Sequence, residues 1–361
     1  MKPTVLSLSL SLSILFFGSA ISSVIFVEST AMAATEPTLV VYSYDSLVSK
    51  KSWGAQVASS FEKKMRDLKT PVRIQLVSVG EGAQIYNRLR LDQKRGKNLA
   101  HIAWGVDTDS FAKISKETTF FEIPKEFPIR KEINLKKLPV GFVPFDFGIY
   151  ALIQDTQVLP IDQAPRDWMD LILPRFKKKL LLEDPRTSTP GLAWVLGSEN
   201  AIGKNEVPLF WKNLQSSWLT LSPSWSQAYA MFTKKQAPLI WSYLTSQAYH
   251  EESGDRPGRY RAILFDSGQP MQIEGIAILK TAPDFEAVKK ISELFVSHVI
   301  SLESQSKLPK SQWMFPVRSD VVLPESFKRL PEPQSVHPVF DHLKGEARSE
   351  VLKRWNDALI H

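Results

Sequence analysis

The chain is 361 residues long, sets 45 Lys and Arg against 38 Asp and Glu for a formal charge of +7, and is 43% hydrophobic. That is enough apolar material for one large domain or two ordinary ones, and the absence of cysteine excludes disulfides, thiolate metal centres and cysteine nucleophiles together. The positive excess is spread along the chain; its densest run, Lys177 to Lys179, reads as a solvated face and not as a nucleic-acid site.

Met1-Lys2 opens onto an apolar, serine-rich stretch from Val5 to about Val27, followed by the small-x-small site Ala31-Met32-Ala33. Residues 1–33 therefore read as a secretory signal peptide, with an uncleaved anchor as the alternative, and the rest of the chain is expected in the periplasm. Leu39 to Tyr42 reads as a buried strand, and Trp53, Val57, Phe61 and Met65 recur at the four-residue spacing of an amphipathic helix. Arg73 to Val79 is a second strand, Gly80-Glu81-Gly82 turns into a helix carrying Ile85 and Leu89, and His101 to Val106 is a third strand. Strand and helix alternate, which predicts an α/β lobe.

Phe142 to Ile153, long, apolar and aromatic, suits a strand leaving one lobe for the next. After a strand at Lys179 to Leu182, Ser188 or Thr189 can cap a helix with Pro190 in its first turn. Pro238 to Tyr243 is a buried strand, and Ser246 starts a short helix. Gln272 to Leu279 is another strand, and Phe285, Val288, Ile291, Leu294, Phe295 and Val299 mark a helix expected to return to the first lobe. From Leu323 onward, prolines 324, 331, 333 and 338 break the pattern until a final helix near Ala347 to Leu359.

Six segments carry a resemblance. In chain order they are Tyr42-Ser-Tyr44-Asp45-Ser46, Phe142 to Tyr150, Asp184-Pro-Arg-Thr-Ser-Thr-Pro-Gly191, Trp225-Ser-Gln-Ala-Tyr229, Ser242 to His250 and Trp313-Met-Phe-Pro316. Together they resemble the periplasmic thiamine-binding protein family, the substrate-binding subunit of a thiamine ABC importer. The resemblance implies a two-lobed periplasmic-binding-protein fold of the type II kind, with two crossover hinge strands and a ligand cleft between the lobes. Lobe one would comprise 36–143 plus 277–361, and lobe two 144–276. It implies no resident cofactor, a monomer, an inner-membrane permease with its ATPase as partner, and thiamine, its monophosphate or its diphosphate as cargo.

Thiamine joins a cationic thiazolium to an aminopyrimidine, so its rings ask for aromatic faces and a nearby carboxylate. By resemblance, Trp225, Tyr243, Tyr249 and Trp313 hold positions near the ligand, with Tyr44 and Asp45 facing them from the other lobe. The arm and any phosphate ask for donors, which the helix start at Ser188-Thr189 and the group at Ser246 can supply. The sequence departs from the family twice. Glu81-Gly82 stands where Asp-Gly is usual, and Leu244 replaces a hydroxyl residue between Tyr243 and Thr245. The net positive charge tilts the expectation toward a phosphorylated ligand. A cysteine-dependent thiamine-processing enzyme is disfavoured because the nucleophile is missing. A carrier of ferric ion or another cationic heterocycle, and a receptor-coupled binder, remain as alternatives of the same architecture.

Overall fold

The computed structural model describes residues 36–119, 121–282, 284–339, 341 and 347–360; the expected signal peptide, residues 1–33, lies outside them. The first half opens with β1 (Thr38–Ser43), α1 (Asp45–Val48), α2 (Trp53–Asp67), β2 (Arg73–Ser78), α3 (Gly82–Lys94), β3 (Ile102–Asp107) and α4 (Thr108–Ile114). The chain then passes through β4 (Val143–Asp155) into β5 (Leu180–Glu183), α5 (Thr189–Ile202), α6 (Val207–Leu214), β6 (Trp218–Ser222), α7 (Trp225–Thr233), β7 (Leu239–Tyr243), α8 (Ser246–Glu252) and β8 (Tyr260–Ile263). It returns through β9 (Gln269–Ile278) to α9 (Phe285–Val299), α10 (Leu302–Ser311), β10 (Phe315–Pro316), α11 (Glu325–Lys328), β11 (Val336–Pro338) and α12 (Arg348–Ile360).

The main sheet runs in the order β2-β1-β3-β9-β4-β7-β5-β6. β1 is parallel to both β2 and β3, and β5 is parallel to both β6 and β7. These two parallel blocks are joined by antiparallel pairing of β9 with β3 and β4, and of β4 with β7. β4 is the longer crossover: Val143 to Ile149 pairs with β9, and Tyr150 to Gln154 with β7. Every residue of β4 and of β9 is buried, as expected of strands covered on both faces.

Each half has its own core. The stripe on α2 buries Trp53, Val57, Phe61 and Met65; Trp53 stacks on Phe145 with centroids 5.6 Å apart, and Phe61 meets Phe295 of α9 edge-on at 5.2 Å. α9 thus packs in the same core as α2. In the other half Trp168, Trp194, Trp211 and Trp241 are buried around α5 and α6. α12 departs from the expected lobe boundary, since it packs against α6 and buries Val351 and Trp355 in the same tryptophan-rich core. Those two side chains have an apolar surface to fill there, whereas the sequence had assigned all of 277–361 to the first lobe.

Candidate functional site

In a parallel block the strands end on a common edge, and the loops that follow converge there. The side chains that follow β1, β2, β5, β6 and β7 meet at a cavity of about 280 Å³ between the two blocks. Tyr44 comes just after β1, Glu81 and Gly82 at the start of α3, Thr189 and Pro190 at the start of α5, and Trp225, Ser226 and Tyr229 on the first turns of α7. Tyr243, Thr245, Ser246 and Tyr249 bring in the β7–α8 connection, Ser311 to Met314 the end of α10, and Gln272 and Glu274 of β9 form the floor.

The aromatic side of the cavity is braced from behind. The indole of Trp225 stacks on Tyr229 at 4.8 Å and donates its N–H to the Ser242 hydroxyl at 2.9 Å. Tyr243 stacks on buried Tyr150 at 4.8 Å and donates to the Gln272 side-chain carbonyl at 3.2 Å. Tyr249 meets Trp313 edge-on at 5.2 Å. Trp313 itself has φ 60, a left-handed conformation costly for a bulky residue. The Thr245 hydroxyl, donating to the Trp313 carbonyl at 2.5 Å, holds it there.

The floor is acidic. Glu274 accepts from the Tyr44 hydroxyl and from Gln272 Nε2, each at 2.6 Å, while Gln312 Nε2 donates to the same Tyr44 oxygen at 3.0 Å. Tyr44 fits only because residue 105 is glycine, at φ +90, where a Cβ would lie 2.3 Å from the ring. Burial, then the charges of Asp45 and Glu274, push the Glu81 carboxyl up to about 7. Burial likewise raises Glu274 above the usual carboxylate range, against the pull of its donors. Burial also raises Glu183, which is fully buried with neither side-chain oxygen hydrogen-bonded. No Lys or Arg lines the cavity among the described residues, and these contain no group of three or more His, Cys, Asp or Glu that could hold a metal ion.

Of the residues singled out in the sequence, Tyr44, Glu81, Gly82, Thr189, Trp225, Tyr243, Thr245, Ser246, Tyr249 and Trp313 are brought together on the cavity wall. Three are placed elsewhere. Asp45 lies in the first turn of α1 and accepts a hydrogen bond from the Ser78 hydroxyl. Ser188 is wholly buried, and its hydroxyl caps α5 by accepting from Gly191 N–H at 3.4 Å. Leu244 follows Tyr243 and so faces the opposite way, into the first block's core, 2% exposed. The departure at Leu244 therefore removes no donor from the cavity.

Tyr229, Gln272, Glu274 and Gln312 were missed. Tyr229 stands one helical turn after Trp225 and was within reach of an i, i+4 argument. Gln272 and Glu274 are polar residues two apart in a wholly buried strand, the mark of a polar face on a crossover. Gln312 follows a helix that the sequence did not predict, and nothing local pointed to it.

Comparison with known proteins agrees with this architecture. Residues 106–340 match the model of the bacterial extracellular solute-binding proteins. A thiamine-binding periplasmic protein of Brucella suis is 32% identical over 312 residues, covering 84% of this chain and 86% of the relative. The protein of that name from Escherichia coli is 32% identical over 337 residues, 91% of this chain and 96% of the relative. A solved periplasmic thiamin binding protein superposes with TM-score 0.77 at 28% identity, covering 91% of this chain and 98% of that one. A periplasmic binding protein of Actinobacillus pleuropneumoniae, 16% identical with TM-score 0.74 over 90% of this chain and 99% of that one, shares the fold.

Proposed function

Since the chain belongs to the bacterial extracellular solute-binding proteins, we propose that it captures thiamine in the cavity and hands it to a membrane importer, without chemistry on the ligand. The observation that carries this reading is the composition of the wall. Aromatic faces at Trp225, Tyr243, Tyr249 and Trp313 surround a floor bearing Glu81 and Glu274, with no cationic side chain among them. A flat heterocycle with a fixed positive charge gains from both: each cation-π contact contributes roughly 0.5 to 2 kcal/mol, and a carboxylate adds a direct counter-charge. The solute named in the relatives is of this kind, and they are named as periplasmic proteins, which supports the same location here.

The local field runs against the net charge of the chain. A phosphate arm would find hydroxyls and the N-terminus of α5 at Thr189 but no Lys or Arg, so unmodified thiamine is the proposed cargo ahead of its mono- and diphosphate. The aminopyrimidine, uncharged near neutrality, fits the aromatic wall but forgoes the counter-charge.

Calorimetry of the purified chain against thiamine, thiamine monophosphate, thiamine diphosphate and the free aminopyrimidine tests this. The expected result is submicromolar thiamine binding, weaker diphosphate binding, and at least a tenfold loss in Trp225→Ala and Tyr243→Ala variants that keep their melting behaviour, about 1.4 kcal/mol or more. Absence of heat and of thermal shift with all four would reject thiamine as cargo and move the search to other cationic heterocycles.

A further inference from the structure

Three carboxyl residues lie side by side across adjacent strands. Glu274 of β9 stands opposite Asp107 of β3 on one side and Asp146 of β4 on the other, and residues directly opposite in antiparallel pairs put their side chains on one face. Their partners differ. Asp107 accepts from Ser110 N–H at 2.6 Å and from the Thr189 hydroxyl at 3.3 Å. Glu274 has its two donors and reaches the cavity. Asp146 is wholly buried, no donor group of another kind reaches either of its oxygens, and its side-chain hydrogen-bond partner is Glu274 itself.

Two ionised carboxylates cannot persist opposite one another without a cation or further donors. The groups packed around them supply neither to Asp146. Tyr44 from the β1–α1 turn, Tyr243 from β7 and Tyr150 from β4 are neutral hydroxyls, each held in that form by burial. Gln272 and Gln312 are amides, Glu81 at the start of α3 is another acid, and Arg348 acts on Asp107. Burial, the Glu274 charge and the hydrogen bond to Glu274 raise Asp146 well above the carboxylate range; burial and the Asp107 charge raise Glu274, against the pull of the bond from Asp146.

We propose that the Asp146–Glu274 pair exchanges a proton for the positive charge of the ligand: the empty cavity holds a proton on the pair, and a cation seated against Glu274 replaces it. The inference rests on the reading of the cargo as a thiamine-type cation. No covalent bond changes except the O–H that is lost. The proton leaves to solvent, and the charge of the floor plus its occupant is the same before and after. Glu274 thereby becomes the residue that selects for positive charge, and Asp146, which touches no ligand, the positioning group that keeps the proton there until it is displaced. The sign follows from linkage. Because the empty pair holds a proton that the loaded pair lacks, affinity rises with pH, by up to about tenfold per unit. An uncharged analogue displaces nothing.

The test is calorimetry of the full chain with thiamine at about pH 6.5 and about pH 8, in buffers of different ionisation heat, which counts protons released. The expected result at the lower pH is release of roughly half to one proton, with Kd severalfold weaker than at the higher pH. In a Glu81→Gln background, which removes the other raised acid of the cavity wall, Asp146→Asn should abolish the release and flatten the pH profile; Glu274→Gln should weaken thiamine binding roughly 10- to 100-fold at the higher pH. Thiamine binding with no proton release and a flat Kd overturns the inference and leaves the carrier reading standing. Release that persists in the folded Glu81→Gln, Asp146→Asn double variant also overturns it, by assigning the proton elsewhere. If that variant does not fold, an uncharged thiazole analogue decides on the wild-type chain: equal proton release with it overturns the proposal, and none supports it. Failure of thiamine to bind at either pH removes the function and this inference together.

Discussion

Ser188 and Thr189 are neighbours in one motif, yet the backbone sends their hydroxyls to different tasks. Ser188, as N-cap, spends its oxygen on Gly191 N–H, while Thr189, one residue into α5, lines the cavity and reaches Asp107. Ser188→Ala should therefore cost about 1 kcal/mol in denaturant melts and leave the thiamine Kd within about twofold, whereas a ligand role for Ser188 would show as a larger loss of affinity. Gly105 makes the opposite case, a residue that touches no ligand but decides where one does. Gly105→Ala forces a Cβ onto the Tyr44 ring at a φ that disfavours it, so it should both destabilise the fold by about 1 to 3 kcal/mol and weaken binding at least tenfold, as read by melts and calorimetry on one sample. The aromatic wall was legible in the sequence because the motifs containing Trp225, Tyr243 and Trp313 are distinctive. Glu274 was not, because a lone acid in a buried strand acquires its meaning only from the neighbours that β3 and β4 place beside it.

At the scale of elements, strands with continuous apolar runs and helices with clean stripes were readable: β1, β3, β4, β7 and β9, with α2 and α9, fall within a few residues of their expected places. The elements that were missed have weak signals. β6 lies at the end of the sheet and is mostly half-buried, so it lacks the apolar density of a central strand. α10, Leu-Glu-Ser-Gln-Ser-Lys-Leu-Pro-Lys-Ser, is polar and contains Pro309, which argues against a helix on propensity; it forms because Leu308 packs into the first core and Gln305 donates to the carbonyls of Phe145 and Val299. This helix aims Gln312 and Trp313 at the cavity, and α8 meets it through Thr245. Thr245→Val removes the donor to the Trp313 carbonyl at nearly constant volume. The expected outcome is a loss of about 1 to 2 kcal/mol in stability with a five- to tenfold weaker thiamine Kd, and unchanged binding would mean that Trp313 keeps its pose without the bond.

For the molecule as a whole, the buried acids set how stability responds to pH. Glu81 is pushed up to about 7, and Asp146, Glu183 and Glu274 are raised as well, so the folded chain holds protons that the unfolded chain releases at its ordinary carboxylate values. For Glu81 and Glu274, each raised to about 7, the contribution to stability is complete below about pH 4 and is lost as pH rises through about 7. With the cavity empty, the melting temperature should therefore decline between about pH 6 and about pH 8, while the upward shift produced by saturating thiamine should grow over the same interval. Scanning calorimetry across that range checks both. A melting temperature that climbs steadily with pH would contradict the assignment of raised values to these acids. The overall architecture was accessible from the alternation of elements together with the family resemblance; the placement of α12 was not, because only packing against α6 reveals which core Trp355 completes.

The sheet order also dictates a timetable. β3 borders β9, yet the two are more than 160 residues apart in the chain, so the edge of β3 that β9 covers stays open until Gln269–Ile278 has emerged from the ribosome. The N-terminal block cannot finish its own sheet while it is being made, since the strand that closes it arrives only after the whole second block. Such long-range pairing slows folding, and here the delay extends the interval in which the nascent polypeptide is still threadable, the state in which a secretion channel can accept it.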